Sequence, residues 1–226
     1  MFLLKMQWRE LLFAHWPVDP DLVRPLLPMG LQLDMAEGTA WVSIVPFRMT
    51  GVGPRLLPGH RFAELNVRTY VRHHGRAGVW FFSLDASSRL AVRAARRFYH
   101  LNYCDALMDL SRDGDWIEYR SQRIHAGMTP ALLDVRYRPM GGVRRAEAGS
   151  LEHWLTERYS LYSADEFGRL FRGDVRHEPW PLQAAEAEWR TNSMTGGLGF
   201  SLDGKPALLA YSAKLQVRAA TLVRQR

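Results

Sequence analysis

Four side chains of different chemistry occupy every second position of Glu64-Leu65-Asn66-Val67-Arg68-Thr69-Tyr70-Val71. An acid, an amide, a guanidinium and a phenol together can hold a carboxylate and move a proton, with Glu64 as the acid/base candidate and Arg68 as the anion clamp. In an extended chain successive side chains point to opposite faces, so Glu64, Asn66, Arg68 and Tyr70 share one face and Leu65, Val67, Thr69 and Val71 the other. Such alternation ordinarily marks a strand whose polar side meets water. Two features argue for an interior row instead. The set is mixed rather than a generic Lys/Glu/Thr surface, and the neighbouring Val79-Trp80-Phe81-Phe82-Ser83-Leu84 is apolar on both faces. A buried row needs partners, because an unpaired buried charge is costly. Glu64 with Arg68, and Arg9 or Arg123 from other strands, are the candidates. A small barrel lined this way would be a ligand cavity.

Other constellations are weaker. The eight histidines show no metal-ligand spacing and no His-Glu-x-x-His, so no metal is expected. His15 and His177 are the two to watch. Cys104, with His100 four residues before it, reads as a buried small hydrophobe rather than a nucleophile. Gly-x-Ser-x-Gly and a Walker-type phosphate loop are absent, and Gly196-Gly197-Leu198-Gly199 lacks the βαβ setting of a dinucleotide site. No cofactor is expected. Arg158, Tyr159 and Tyr211 are further polar candidates at element ends or in strand-like segments.

The elements that must carry these residues are mostly strands. Trp8 to Trp16, Thr39 to Met49, Trp116 to Arg123 and Leu132 to Arg138 have strand patterns. Asp19 followed by Pro20 opens a short helix ending before Pro28. Thr50 to His60 is a Gly/Pro-rich loop. Phe62 to Arg72 and Gly78 to Leu84 form a hairpin around His73-His74-Gly75-Arg76. Ser87 or Ser88 caps a helix reaching Tyr99, with Leu90, Ala94 and Phe98 on one apolar stripe among arginines. Ser150 precedes a helix from Leu151 to about Arg158, and the remainder reads as strands. Strands outnumber helices and are mainly hairpin-linked, which predicts an antiparallel sheet curling into a barrel.

The chain has 226 residues, 47% hydrophobic and 12% aromatic, enough for one large domain with a real core. No linker or repeat divides it, so residues 1–226 read as a single domain. No apolar run approaches the roughly 20 residues of a membrane helix, and Lys5, Arg9 and Glu10 interrupt the start too early for a signal peptide. One cysteine among 226 residues excludes an internal disulfide framework and points to the cytoplasm. The net charge is +7, yet its thirty basic residues are scattered and interleaved with acids. That argues against a nucleic-acid surface.

The same residues carry a family likeness. Trp8, Leu11-Leu12-Phe13 and His15-Trp16, then Val18-Asp19-Pro20, Leu26-Leu27-Pro28, Leu33-Asp34 and Ala40-Trp41-Val42 follow one another as in the YqjF-like family of uncharacterised bacterial proteins. So do Glu64 to Val71, Gly78 to Asp85, Ser150-Leu151-Glu152, Glu157-Arg158-Tyr159 with Leu161-Tyr162, and His177-x-Pro179-Trp180-Pro181-Leu182. The resemblance spans nearly the whole chain in order. It implies an α+β, mainly antiparallel β fold: an acetoacetate decarboxylase-like closed or cone-shaped β barrel with a few peripheral helices. Acetoacetate decarboxylases form a Schiff base through a lysine with a second lysine beside it. The matching stretch here, Arg96 to Asp105, has none, and arginine cannot substitute. The resemblance therefore implies pocket positions without Schiff-base decarboxylation: Glu64 and Arg9 where the decarboxylases place a pocket glutamate and arginine, and Asn102 and Tyr103 where they keep the reactive pair. The resulting expectation is a small-molecule-binding barrel for a small organic acid. Glu64 would be catalytic, and Arg9, Asn66, Arg68, Tyr70, Asn102, Tyr103 and Arg123 would bind the ligand. A non-catalytic sensor or carrier, and an interaction scaffold with an internally paired row, stay open, as does homo-oligomerisation.

Overall fold

The computed structural model describes residues 2–53 and 60–225. Of the expected loop from Thr50 to His60, Thr50 to Gly53 and His60 belong to strands. Strand pairing runs on to Gly53 and resumes at His60, and 54–59 lie outside the described residues.

Thirteen strands and three α-helices are present among the described residues. The strands are β1 (Phe2–Val18), β2 (Gln32–Leu33), β3 (Ala40–Gly53), β4 (His60–His73), β5 (Arg76–Ala86), β6 (Tyr103–Asp113) and β7 (Trp116–Arg123), followed by β8 (Leu132–Arg144), β9 (Ser160–Ala164), β10 (Leu170–Arg176), β11 (Leu182–Asn192), β12 (Leu208–Ala220) and β13 (Val223–Arg224). The helices are α1 (Pro20–Val23), α2 (Arg89–Tyr99) and α3 (Leu151–Thr156). Each begins at a residue that can accept from an orphan backbone N–H. Asp19 accepts from Asp21, Ser88 from Ala91 and Ser150 from His153.

The hydrogen-bonded order runs β5-β6-β7-β8-β11-β12-β1-β3-β4, and β4 pairs back onto β5, so the ladder forms a ring. A second link, β9 and β10, bridges β5 to β12. Among the described residues only the β5–β6 and β5–β9 pairings are parallel. The β4–β5 hairpin turns on His74 and Gly75, both at positive φ (47° and 76°), the geometry that matches strand twist in a two-residue loop. The central strands are apolar-packed on both faces. Phe13, Trp41, Val45, Phe47, Phe81 and Leu84 belong to one cluster; Leu12, Ala14, Val42, Ile44, Leu65 and Val67 belong to the other.

One helix face differs from the expectation. Leu90 and Phe98 are 69% and 70% exposed, while Val92, with Ala91 and Ala95, packs inward. The small side chains of α2 meet the sheet, because they let the helix approach closely, and its bulky stripe faces solvent.

Gly78 marks where β5 crosses β9. A Cβ there would stand 2.7 Å from the Tyr162 ring and 2.8 Å from the Ser160 carbonyl. One contact is backbone, so the clash cannot be relieved by a rotamer change. Gly78→Ala is expected to cost about 1–3 kcal/mol, read as a lowered urea midpoint; an unchanged midpoint would show that the crossing is loose.

Candidate functional site

The row on β4 is interior. Glu64, Asn66 and Tyr70 are buried and Arg68 is half-buried, on the face shared with Phe13, Phe47 and Phe81. It divides into two groups, because residues four apart on a strand lie about 13 Å apart. Glu64 and Arg68 accordingly form no ion pair with each other, contrary to the expected pairing.

In the first group Glu64 is 2% exposed and accepts a 2.9 Å hydrogen bond from the Tyr103 hydroxyl. The Asn66 side chain also bonds it. No cation among the described residues offsets its charge, so burial pushes the Glu64 carboxyl up to about 8. Tyr103 is held well above the usual phenol range by burial and by Glu64. At neutral pH this is therefore a neutral acid beside a neutral phenol, and the acid carries a proton it can donate. The Oδ1 atom of Asn66 has no hydrogen-bond partner among the described residues.

The second group contains Arg68, Tyr70, His15 and Ser43. Register places His15 opposite Ser43, and Ser43 opposite Arg68. Tyr70 Oη lies 3.0 Å from the Leu155 carbonyl and 2.7 Å from Ser43 Oγ, which lies 2.7 Å from His15 Nδ1. Arg68 donates to the same carbonyl at 3.3 Å, and its guanidinium stands 5.4 Å from the Phe13 ring centre and 5.8 Å from that of Tyr70. Among the described residues no carboxylate pairs with it, and its Nε is buried without a partner. Trp180 sets its edge to Phe13 at 4.8 Å and stacks on Trp8 at 5.6 Å; both indole N–H groups lack a partner among the described residues.

Other residues from the sequence stand apart. Arg9 is exposed. The reason lies at Glu10, whose φ of 54° accompanies a register shift between β1 and β3. A one-residue bulge exchanges the faces, so Trp8 rather than Arg9 joins Phe13, Phe47 and Trp180. Arg123 is buried on the opposite face, paired with Asp85 at 2.9 Å and donating to Ser83 at 2.6 Å. Asn102 donates to the Phe81 carbonyl, a strand-end contact. Arg158 pairs with Asp34 at 2.7 Å and lies over Tyr70 and Trp154. Tyr159 donates to Glu157 and stacks on His177. Tyr211 packs in the other core. Sequence reasoning does not assign His15, Ser43 and Trp180 to the site. The available signal is that His15 lies two residues from Phe13 on one strand.

Among the described residues no group of three or more His, Cys, Asp or Glu side chains could hold a metal ion. The Cys104 thiol is buried and pushed up to about 11, mainly by burial, so it is not a thiolate at neutral pH. A groove of about 430 Å³ runs over β6, β7 and β8, lined by Leu107, Asp109, Arg120, Gln122, Leu132 and Asp134 among others, and no member of the row borders it. No helix among the described residues is long and apolar enough to cross a membrane.

The model of a family of uncharacterized conserved proteins, DUF2071, matches residues 5–216. The chain belongs to the DUF2071 family. This DUF2071 chain is 43% identical over 221 residues to the uncharacterized protein YqjF of Bacillus subtilis (strain 168), covering 96% of the chain and 90% of that protein. It is also similar in structure to acetoacetate decarboxylase from Legionella pneumophila, with a TM-score of 0.68, 12% identity, and 99% of this chain and 87% of that one covered. An acetoacetate decarboxylase-like enzyme from Sphingomonas wittichii RW1 gives 0.67 at 15% identity, with 100% and 94% covered. The enduracididine biosynthesis enzyme MppR, solved with pyruvate, gives 0.67 at 12% identity, with 98% and 90% covered. At these identities the likeness is one of fold: a mostly-strand α+β architecture of the acetoacetate decarboxylase type. In this DUF2071 chain Lys5, Lys205 and Lys214 are all exposed, and none stands in the row.

Proposed function

We propose that the strand ring is a closed barrel of one domain and that the face of Glu64, Asn66, Arg68 and Tyr70 binds a small organic acid. Arg68 carries the proposal: a half-buried guanidinium against the Phe13 and Tyr70 rings, with no carboxylate among the described residues to pair with. A cation half withdrawn from water, with its Nε buried and without a partner among the described residues, gains from an anion that offsets it. A ligand carboxylate does so in two charge-assisted bonds, with the indole N–H groups of Trp8 and Trp180 as further donors. The neutral acid of Glu64, beside Asn66 and Tyr103, then faces the ligand's other end as proton donor. The acetoacetate decarboxylase-like enzymes and the pyruvate complex of MppR support the choice of a small acid. The exposed lysines speak against Schiff-base chemistry in this chain.

Calorimetric titration with lactate, pyruvate and propionate tests the site. Binding of at least one acid is expected, weakened tenfold or more in Arg68→Met, as loss of a charge-assisted contact worth about 1.5–3 kcal/mol requires. Folded Arg68→Met with unchanged affinity, or no binding by the wild type, overturns the reading. A second reading is a sensor or carrier that uses the same face. It predicts that the acid is released chemically unchanged.

A further inference from the structure

The hydrogen-bond chain behind His15 fixes which of its ring nitrogens carries the proton. The Leu155 carbonyl can only accept, so the single proton of Tyr70 Oη points to it across 3.0 Å. The 2.7 Å contact between Tyr70 Oη and Ser43 Oγ then needs the Ser43 proton. With that proton spent, the 2.7 Å contact from Ser43 Oγ to His15 Nδ1 needs a proton on Nδ1, which also reaches Tyr70 Oη at 3.2 Å. Every other assignment sets two lone pairs against each other at hydrogen-bond distance. His15 is fully buried, and burial together with the Arg68 charge holds it well below the usual imidazole range. It is a neutral ring at physiological pH. Its remaining nitrogen, Nε2, therefore bears a lone pair, and that atom is buried without a hydrogen-bond partner among the described residues.

The geometry points to His15 as the residue that selects the ligand: its Nε2 accepts a hydrogen bond from a hydroxyl on the acid whose carboxylate Arg68 holds. The proposal rests on the small-acid reading above and narrows it to small hydroxy acids. Three observations join the two residues. His15 and Arg68 lie in one cross-strand row, β1 to β3 to β4. Both rest on Phe13, the imidazole stacked 5.8 Å from its ring centre and the guanidinium 5.4 Å from it. Arg68 is also the charge that acts on the His15 ring. The row thus presents a fixed donor set at Arg68 and a fixed acceptor at His15. Because Nε2 cannot gain a proton cheaply beside Arg68, it cannot turn into a donor. A keto oxygen at this position meets lone pair with lone pair, and a methylene leaves the acceptor unpaired.

Lactate, pyruvate and propionate differ only at the carbon next to the carboxylate, so their affinities for the intact protein separate the possibilities. Lactate is expected to bind at least about tenfold more tightly than the other two, the scale of one buried hydrogen bond. His15→Phe abolishes that preference, and His15→Gln, whose amide oxygen can accept, restores part of it. Equal affinities for all three acids, lost together in Arg68→Met, overturn the role of His15 while leaving the acid site standing. Failure of all three to bind overturns both. Should the His15 variants not fold, long-range proton–nitrogen correlation spectra of the wild type decide. A His15 signal with Nδ1 protonated and Nε2 bare between pH 6 and 8, the latter shifting on addition of lactate, upholds the proposal; a proton on Nε2 overturns it.

Discussion

Asp85→Ala is expected to destabilise the protein by about 3–5 kcal/mol, because it leaves the Arg123 guanidinium buried without a counter-charge. The two side chains are 0% and 5% exposed and lie 2.9 Å apart in the core opposite the polar row. Ser83 at 2.6 Å takes a further Arg123 N–H but cannot neutralise it. Burial raises the Asp85 carboxyl above its ordinary range and Arg123 pulls it only part of the way back, so the pair's attraction does not fully offset the loss of water. Removing both partners is a different case. Asp85→Leu with Arg123→Met is expected to recover much of the loss, since an apolar pair of similar volume is often no worse than a buried ion pair. Urea unfolding of the single and double variants measures this. A double variant as unstable as Asp85→Ala would mean that the network with Ser83, rather than charge pairing, holds this end of β5.

Glu64→Gln is expected to change the pH dependence of stability more than stability itself. The folded carboxyl titrates near 8 against an ordinary value of 4.5 in the unfolded chain, so between these values the folded state holds a proton that the unfolded state has lost. The stability contributed by the protonated group is complete below about pH 4.5. It falls by about 1.4 kcal/mol per unit as pH rises and is gone above the folded value. The amide introduced by Glu64→Gln cannot titrate, so the variant lacks this slope. The gap between variant and wild type should therefore widen in the variant's favour from pH 5 to pH 8. A constant gap over that range would show that Glu64 is ionised in the folded protein and that an undetected cation offsets it.

How much of this was legible beforehand depended on whether the information was local. The alternation from Glu64 to Val71 identified an interior polar row, because β4 has a period of two and β5 beside it is apolar on both sides. The hairpin tip and the cap at Asp19 were legible for the same reason, since each is decided by residues within four positions, whereas the choice of Ser88 over Ser87 and the capping role of Ser150 came from the structure. Arg9 shows the limit. A single left-handed residue at Glu10 exchanges the faces of β1, and nothing in the residue types around it announces the bulge. Arg123 shows another: its alternation with Tyr119 and Ser121 was visible, but which face of β7 meets Glu64 depends on how the ring closes. On α2 the spacing of Leu90, Ala94 and Phe98 was apparent, whereas the choice of the small-residue side for packing was made by the sheet. His15 belongs to the site through Ser43 and Tyr70, 28 and 55 residues away, and only folding brings them together.

Every role proposed for the row depends on an acid lying against Arg68. A crystal structure of the protein grown with millimolar lactate tests this directly. The expected result is a carboxylate on the Arg68 guanidinium, with the hydroxyl toward His15 Nε2 and the far end toward Asn66 and Glu64. Lactate found only in the groove over β6, β7 and β8, or a row packed shut by Phe13, Trp8 and Trp180 with no acid between them, would contradict it.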